Sequence, residues 1–278
     1  MTATRSVSPP AKRAAHLISV AVGRATAPLR MLPGFLIVGA QRCGTTSMYR
    51  ALADHPAVRK AVLHKGVHYF DMNYDRGINW YRAHFPLAAT GRVTFESSPY
   101  YMFHPLAAER IAADLPGVRL IVLVRDPVER AYSAHTHERA RGFETEPFER
   151  AIALEPDRLD GEAERVAALG RLSHSHQHHA YLARGRYVEQ LDRLARLFGR
   201  MRIHVVDSGD FFGEPEPVYD GVLDFLGLAR CGYPAFERHN ARPRPPIAPS
   251  LRVRLDDHFM AFDERLIPWL DRIPSWRR

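Results

Sequence analysis

The residues whose types and spacing can do chemistry lie in one stretch, Gly39-Ala40-Gln41-Arg42-Cys43-Gly44-Thr45-Thr46-Ser47. Its glycines and hydroxyl residue follow the G-x-x-x-x-G-x-[ST] spacing of a P-loop, in which backbone N–H groups wrap an anion at a helix N-terminus. One position departs from that pattern. Thr45 stands where a nucleotide triphosphatase places lysine, so the usual grip on a γ-phosphate is missing. A cation sits inside the loop instead, at Arg42, two positions before the second glycine. The combination suits a nucleotide with a short terminal group, whose transfer needs charge neutralised at a bridging oxygen. The competing reading is an ordinary βα turn that uses glycine for geometry alone.

Such a loop needs a strand before it and a helix after it. Phe35-Leu36-Ile37-Val38 predicts a short buried strand, and Thr45 opens a helix expected to reach Leu52, with His55-Pro56 as its stop. Further strands are predicted over 92–96, 119–124 and 202–207, the second being the most continuously apolar. That strand runs into Arg125-Asp126-Pro127, where Asp126 can cap the next helix and Pro127 suits its first turn. Ser133 follows about two turns later. Helical periodicity recurs over 181–198, 218–226 and 249–269. Between 143 and 172 acids and arginines alternate, among them Glu144, Glu149 and Arg150, which reads as a solvated helical face. Strands separated by helices predict an α/β fold, a single P-loop-like domain with a parallel sheet flanked by helices on both faces. We place it over 34–278, after a flexible basic arm over 1–33. A ligand is expected at the strand C-terminal ends, where both Gln41 and Arg125 lie.

The loop from Gly39 to Ser47 resembles the 5′-phosphosulfate loop of sulfotransferases that use 3′-phosphoadenylyl sulfate (PAPS), closest to the heparan-sulfate-type (N- and 3-O-) branch and its bacterial relatives. The segment Arg125 to Ser133 is a second match, and the likeness extends from about Phe35 onward. It implies that Arg42, Cys43, Gly44, Thr45, Thr46 and Ser47 hold the 5′ end of PAPS, and that Arg125 and Ser133 hold the 3′-phosphate. A charged fork for a phosphate distant from the sulfate makes physical sense, although Arg125 paired with Asp126 or Glu129 at a helix start is the plainer alternative. The loop at 239–246 is similar to one that closes over the nucleotide, with Arg242 or Arg244 as its basic residue. Lys65-Gly66-Val67-His68-Tyr69-Phe70-Asp71 resembles K-E-V-H-F-F-D, whose glutamate takes the acceptor's proton. Here that position is Gly66, and Ser97 replaces a lysine of the relatives. His68 is then the leading candidate for the base, on a chain expected to be extended, with Asp71 and Glu96 behind it.

The formal net charge is +8, and Lys12, Lys60 and Lys65 are the only lysines, so arginine supplies nearly all of it. Arginine forks favour phosphate and sulfate ligands. The arginines are scattered and no nucleic-acid motif appears, so no nucleic-acid partner is expected. Cys43 and Cys231 make no disulfide framework, which suits a cytoplasmic protein. The apolar run 17–22 is too short to span a bilayer, leaving the arm to lie on the body or on an anionic membrane surface. His174, His176, His178 and His179 tempt a metal reading, but nearby acidic or thiol ligands are missing and sulfuryl transfer needs none. A polar helix lining the acceptor cleft is expected there, with no metal.

These readings converge on a PAPS-dependent sulfotransferase acting on a hydroxyl or amine of a saccharide, glycolipid or other small metabolite. Gly66 and Ser97 motivate one alternative, a protein that binds the nucleotide without transferring sulfate. A P-loop kinase is a third, disfavoured by Thr45.

Overall fold

The computed structural model describes residues 21–62, 64–170, 172–239 and 245–278. Five parallel strands form one sheet in the order β2-β3-β1-β4-β5: β1 Phe35–Gly39, β2 Val58–Lys60, β3 Val93–Ser97, β4 Arg119–Val124 and β5 Ile203–Asp207. The chain starts at the centre, builds outward through β2 and β3, then crosses β1 to add β4 and β5. The order reverses beside β1, which puts a crevice at its C-terminal end. β1 is buried at every residue and β4 at all but Arg119, as expected when helices cover both faces of a parallel sheet. Phe35, Leu36 and Ile37 pair with Phe95, Glu96 and Ser97 on one side and with Arg119, Leu120 and Ile121 on the other.

The strands and principal helices fall close to where the sequence places them. The helix after β1 is Thr45–Ala53, and Asp126 caps Pro127–Ala140 by accepting from the N–H groups of Val128 and Glu129 at 2.9 and 3.2 Å. Two expectations are corrected. Glu144 does not belong to a solvated face: it is buried, takes the Arg158 guanidinium at 2.7 Å and accepts from the Tyr181 hydroxyl at 2.9 Å. His68 is not in an extended segment either; it has φ 53°, in the left-handed region, and turns the chain into the helix Tyr69–Met72. Before β1, Arg30 holds residues 26–31 against the body, donating to the Phe85 carbonyl at 2.6 Å and to Thr26 Oγ1 at 2.7 Å.

The polar centre of this side of the sheet is Glu96, at 0% exposure on β3. Its Oε1 accepts from the hydroxyls of Tyr81 and Tyr101 at 3.0 and 2.7 Å. Its Oε2 accepts from the Val67 N–H at 2.6 Å and Ser98 Oγ at 2.7 Å. Burial pushes the Glu96 carboxyl pKa up against the pull of these donors. The Ser97 N–H donates to the Lys65 carbonyl at 2.9 Å and the His68 N–H to Ser98 Oγ at 3.2 Å, so the end of β3 fixes the whole 65–68 segment. With every oxygen committed to fold contacts, Glu96 is a structural carboxylate.

Removing it strands several buried donors. Glu96→Ala should therefore cost about 3 kcal/mol or more in urea unfolding. Glu96→Gln should also destabilise, because an amide nitrogen at the Oε1 position cannot accept the Tyr101 hydroxyl proton, and that hydroxyl already accepts from the Tyr69 N–H at 2.8 Å. A Glu96→Gln protein as stable as the wild type would refute this account.

Candidate active site

The turn after β1 is built for close approach. Gly44 has φ 84°, which disfavours any side chain, and a Cβ there would meet the Phe212 ring at 3.1 Å. The Ala40 N–H donates to the Leu123 carbonyl at 2.8 Å, which ties the start of the turn to β4. From outside, Arg184 donates to Gln41 Oε1 at 2.7 Å and Ser208 Oγ to the Cys43 carbonyl at 2.5 Å. Cys43 is buried beside the Tyr187 hydroxyl at 3.5 Å, and burial raises its thiol pKa. A neutral buried thiol is no nucleophile.

This turn lines a cleft of about 850 Å³ together with Arg125, Ser133, Lys65, Phe212, Arg238 and residues 245–247. Gln41, Arg42, Cys43, Gly44, Thr45 and Thr46 all face it. Arg125, from the end of β4, donates to the Arg42 carbonyl at 3.3 Å and lies 3.6 Å from Glu129. Arg125 thus makes the plainer helix-start pairing, with Glu129, while lining the cleft. Arg42 Nε donates to Ser133 Oγ at 3.0 Å. The two motifs, separate in the sequence, are thus joined through Arg42 in the floor of the cleft. Ser47 turns from the cleft, its Oγ accepting from the His239 N–H at 3.1 Å. Arg242 and Arg244 lie outside the described residues.

Lys65 is the functional residue that loop-based reasoning missed. Its ammonium donates to Thr45 Oγ1 at 3.2 Å and Thr46 Oγ1 at 3.1 Å. A lysine twenty residues beyond the loop therefore stands over the position where a P-loop lysine is absent. Burial lowers its pKa to about 8. The signal available in the sequence was that Lys65 opens the segment containing His68 and Asp71. Arg238, over the Phe212 ring at 4.5 Å, is a second residue missed.

Three residues from Lys65, His68 Nδ1 lies 2.8 Å from Asp71 Oδ2. A carboxylate only accepts, so Nδ1 carries the proton and Nε2 of the neutral ring keeps its lone pair. Burial alone would lower the His68 pKa, but the hydrogen bond and charge of Asp71 outweigh it and the net direction is upward. At Gly66 a Cβ would stand 2.6 Å from the Ser97 carbonyl, 2.9 Å from Ser98 Oγ and 3.4 Å from His68 Nε2. No side chain fits there without moving β3, and the imidazole reaches the space that one would enter.

The histidines of the helix His174–His178 and its end serve the fold. His176 Nδ1 pairs with the Tyr100 hydroxyl at 2.7 Å, His178 Nδ1 with Glu138 at 2.9 Å, and His179 Nε2 with the Phe143 carbonyl at 3.0 Å. Among the described residues no group of three or more His, Cys, Asp and Glu is placed to hold a metal ion.

Comparison with known proteins agrees with this geometry. Residues 32–231 match the family described as the sulfotransferase domain. The chain is 30% identical to human heparan sulfate glucosamine 3-O-sulfotransferase 6 over 273 residues, covering 89% of this chain and 74% of that one. It is 25% identical to the membrane-associated sulfotransferase kil1 of Dictyostelium discoideum, over 90% of this chain and 67% of that one. The solved sulfotransferase of Alicyclobacillus acidocaldarius superposes with a TM-score of 0.74 at 27% identity, over 89% of this chain and all of that one. A phosphate-type loop at β1, a charged fork at β4 and these likenesses have one common explanation: the chain belongs to the sulfotransferase family and is a PAPS-dependent enzyme.

Proposed function

We propose that this enzyme moves the sulfuryl group of PAPS to a hydroxyl, or an amine, of a saccharide, glycolipid or other small metabolite. The observation that carries this reading is the shared cleft: the loop after β1 and the Arg125–Ser133 pair after β4 line one cavity at the ends of adjacent strands. The heparan sulfate relatives support a saccharide acceptor. The proposal includes no metal ion. We also infer a cytoplasmic location, with the basic residues of 1–33 available to an anionic membrane surface.

In this assignment N–H groups of Gly44 to Thr46 and the Lys65 ammonium hold the 5′-phosphosulfate, while Arg125 and Ser133 hold the 3′-phosphate; the Ser47 N–H is taken by the Gly44 carbonyl at 2.9 Å. The acceptor oxygen forms a bond to sulfur as the bond from sulfur to the phosphate oxygen breaks, releasing adenosine 3′,5′-bisphosphate. Arg42 and Lys65 neutralise the charge gathering on that leaving oxygen, where fixed cations act mainly in the transition state. His68 Nε2 receives the acceptor's proton, and the imidazolium formed is stabilised by Asp71. A histidine thus does the work that a carboxylate at position 66 does in the relatives. Transfer of labelled sulfate from PAPS to a panel of saccharide and metabolite acceptors tests the proposal. Tight binding of adenosine 3′,5′-bisphosphate with no transfer to any acceptor would favour the binding-only alternative.

Two group-specific outcomes follow. The base works only when neutral, so kcat/KM should fall as pH drops through a value above the ordinary histidine pKa of about 6.5. Lys65 works only when protonated, so it should fall again as pH rises through about 8. Lys65→Arg should move the alkaline limb upward. Asp71→Asn should move the acid limb downward, and His68→Ala should abolish transfer while leaving nucleotide affinity intact. An unchanged acid limb in Asp71→Asn would remove His68 from the role.

Arg125→Ala should weaken adenosine 3′,5′-bisphosphate by about 2–3 kcal/mol, the worth of a charge-assisted pair. Adenosine 5′-phosphosulfate, which lacks the 3′-phosphate, should lose little, as competition binding would show. Equal losses for both ligands would remove the assignment.

A further inference from the structure

The family match ends at residue 231, yet residues well beyond it line the cleft. After the helix Pro249–Leu270 the chain reverses at Asp271, with φ 55°, and lays the short turn Ser275–Arg277 across the end of β5. Two buried carboxylates hold that turn. Asp207, 2% exposed, accepts from the Ser275 N–H through Oδ2 and from Ser275 Oγ through Oδ1, both at 2.7 Å. Asp263, 3% exposed, accepts through Oδ2 from Trp276 Nε1 at 2.9 Å and Arg277 Nε at 2.7 Å. Arg277 also donates to the Asp256 carbonyl at 2.7 Å. A Cβ on Gly209 would stand 2.2 Å from Ser275 Oγ, so the turn lies directly on the backbone leaving β5.

This anchoring fixes one aromatic ring beside the cleft. Within the cleft lining, Arg42, Lys65, Thr45, Thr46, Arg125 and Ser133 are cationic or hydroxylic, whereas Phe212, Pro245, Pro246, Ile247 and Trp276 supply its apolar surface, with Arg238 over the Phe212 ring. An adenosine bisphosphate divides the same way, into a ribose carrying both phosphates and a flat base pointing away from them. The indole's only donor is engaged by Asp263, and the half-buried ring packs against the core while also lining the cleft. We propose that Trp276, latched through Asp207 and Asp263, is the wall on which the adenine of the nucleotide packs. The inference rests on the PAPS reading above and extends it to residues outside the family match.

The test titrates adenosine 3′,5′-bisphosphate and a base-free probe, 1-O-methyl-ribose 3,5-bisphosphate, into wild type, Trp276→Ala and Trp276→Phe. Trp276→Ala should weaken the nucleotide about ten- to hundredfold, the usual worth of a base–aromatic stack. The base-free probe should bind wild type and Trp276→Ala alike, and Trp276→Phe should restore most of the nucleotide affinity. The nucleotide should quench wild-type tryptophan emission and leave that of Trp276→Phe unchanged, because the remaining tryptophans, Trp80 and Trp269, are buried. This comparison stands even if the alanine variant fails to fold. Undiminished quenching in Trp276→Phe, or equal weakening of both probes by Trp276→Ala, would overturn the assignment. Wild-type protein that binds neither probe would instead reject the nucleotide reading on which it rests.

Discussion

Everything at the active site depends on the parallel pairing of β1 with β4. A parallel pair sends both chains out of the sheet at the same end, so the loop at 39–47 and the arginine at 125 emerge side by side. Two anionic groups on one small nucleotide can then be met by groups that are 83 residues apart in sequence, as in the Arg125 contact with the Arg42 carbonyl. Desolvation drives the arrangement: strands this apolar must be covered on both faces, and the covering helices begin where the strands stop. The Thr45–Ala53 helix accordingly points the positive end of its dipole toward the crevice, and Pro127–Ala140 begins there too, its Val128 and Glu129 N–H groups already taken by Asp126.

Onto this frame the buried Glu96 attaches a separate chemical segment. Its four donors include the Val67 N–H, so the carboxylate anchors the peptide that carries Lys65 on one side and His68 on the other. The tight packing of Gly66 against the Ser97 carbonyl is the geometric counterpart of that attachment. A carboxylate side chain at 66 and this packing exclude each other. With the backbone so close to β3, the group nearest that space is the imidazole of the left-handed His68, held by Asp71, whose Nε2 lies 3.4 Å from where a Cβ on Gly66 would stand.

The fold was legible because its evidence is local: apolar runs of strand length, a helix stop at His55-Pro56 and a capping Asp126 before Pro127. The loop and the Arg125–Ser133 segment were legible for the same reason, each being a contiguous string of residue types. What escaped were relations across the sequence. Lys65 reaches Thr45 and Thr46 only because β3 holds its backbone, and nothing in the residues around it states that. Arg42 on Ser133 joins two motifs that read as independent. Glu144 and Glu155 sit in a stretch whose alternating charge suggests solvent, yet Glu155 accepts from the N–H groups of residues 181–183 in the interior. Charge alternation reports composition, whereas burial depends on which distant backbone needs acceptors.

The Ser275–Asp207 latch has a consequence for how the protein is made. The cleft draws together the Cys43 carbonyl and Ser208 across 165 residues, Ser47 and His239 across 192, and Asp207 and Ser275 across 68. Ser275 follows the end of β5 by 68 residues, so every strand of the sheet is synthesised before the turn that closes this side of the cleft. The sheet and its first loop can therefore be in place while the cavity is still open along one side. Ligand occupancy becomes a signature of the finished chain rather than of the folded core, and a nucleotide present during folding draws the equilibrium toward completion by mass action.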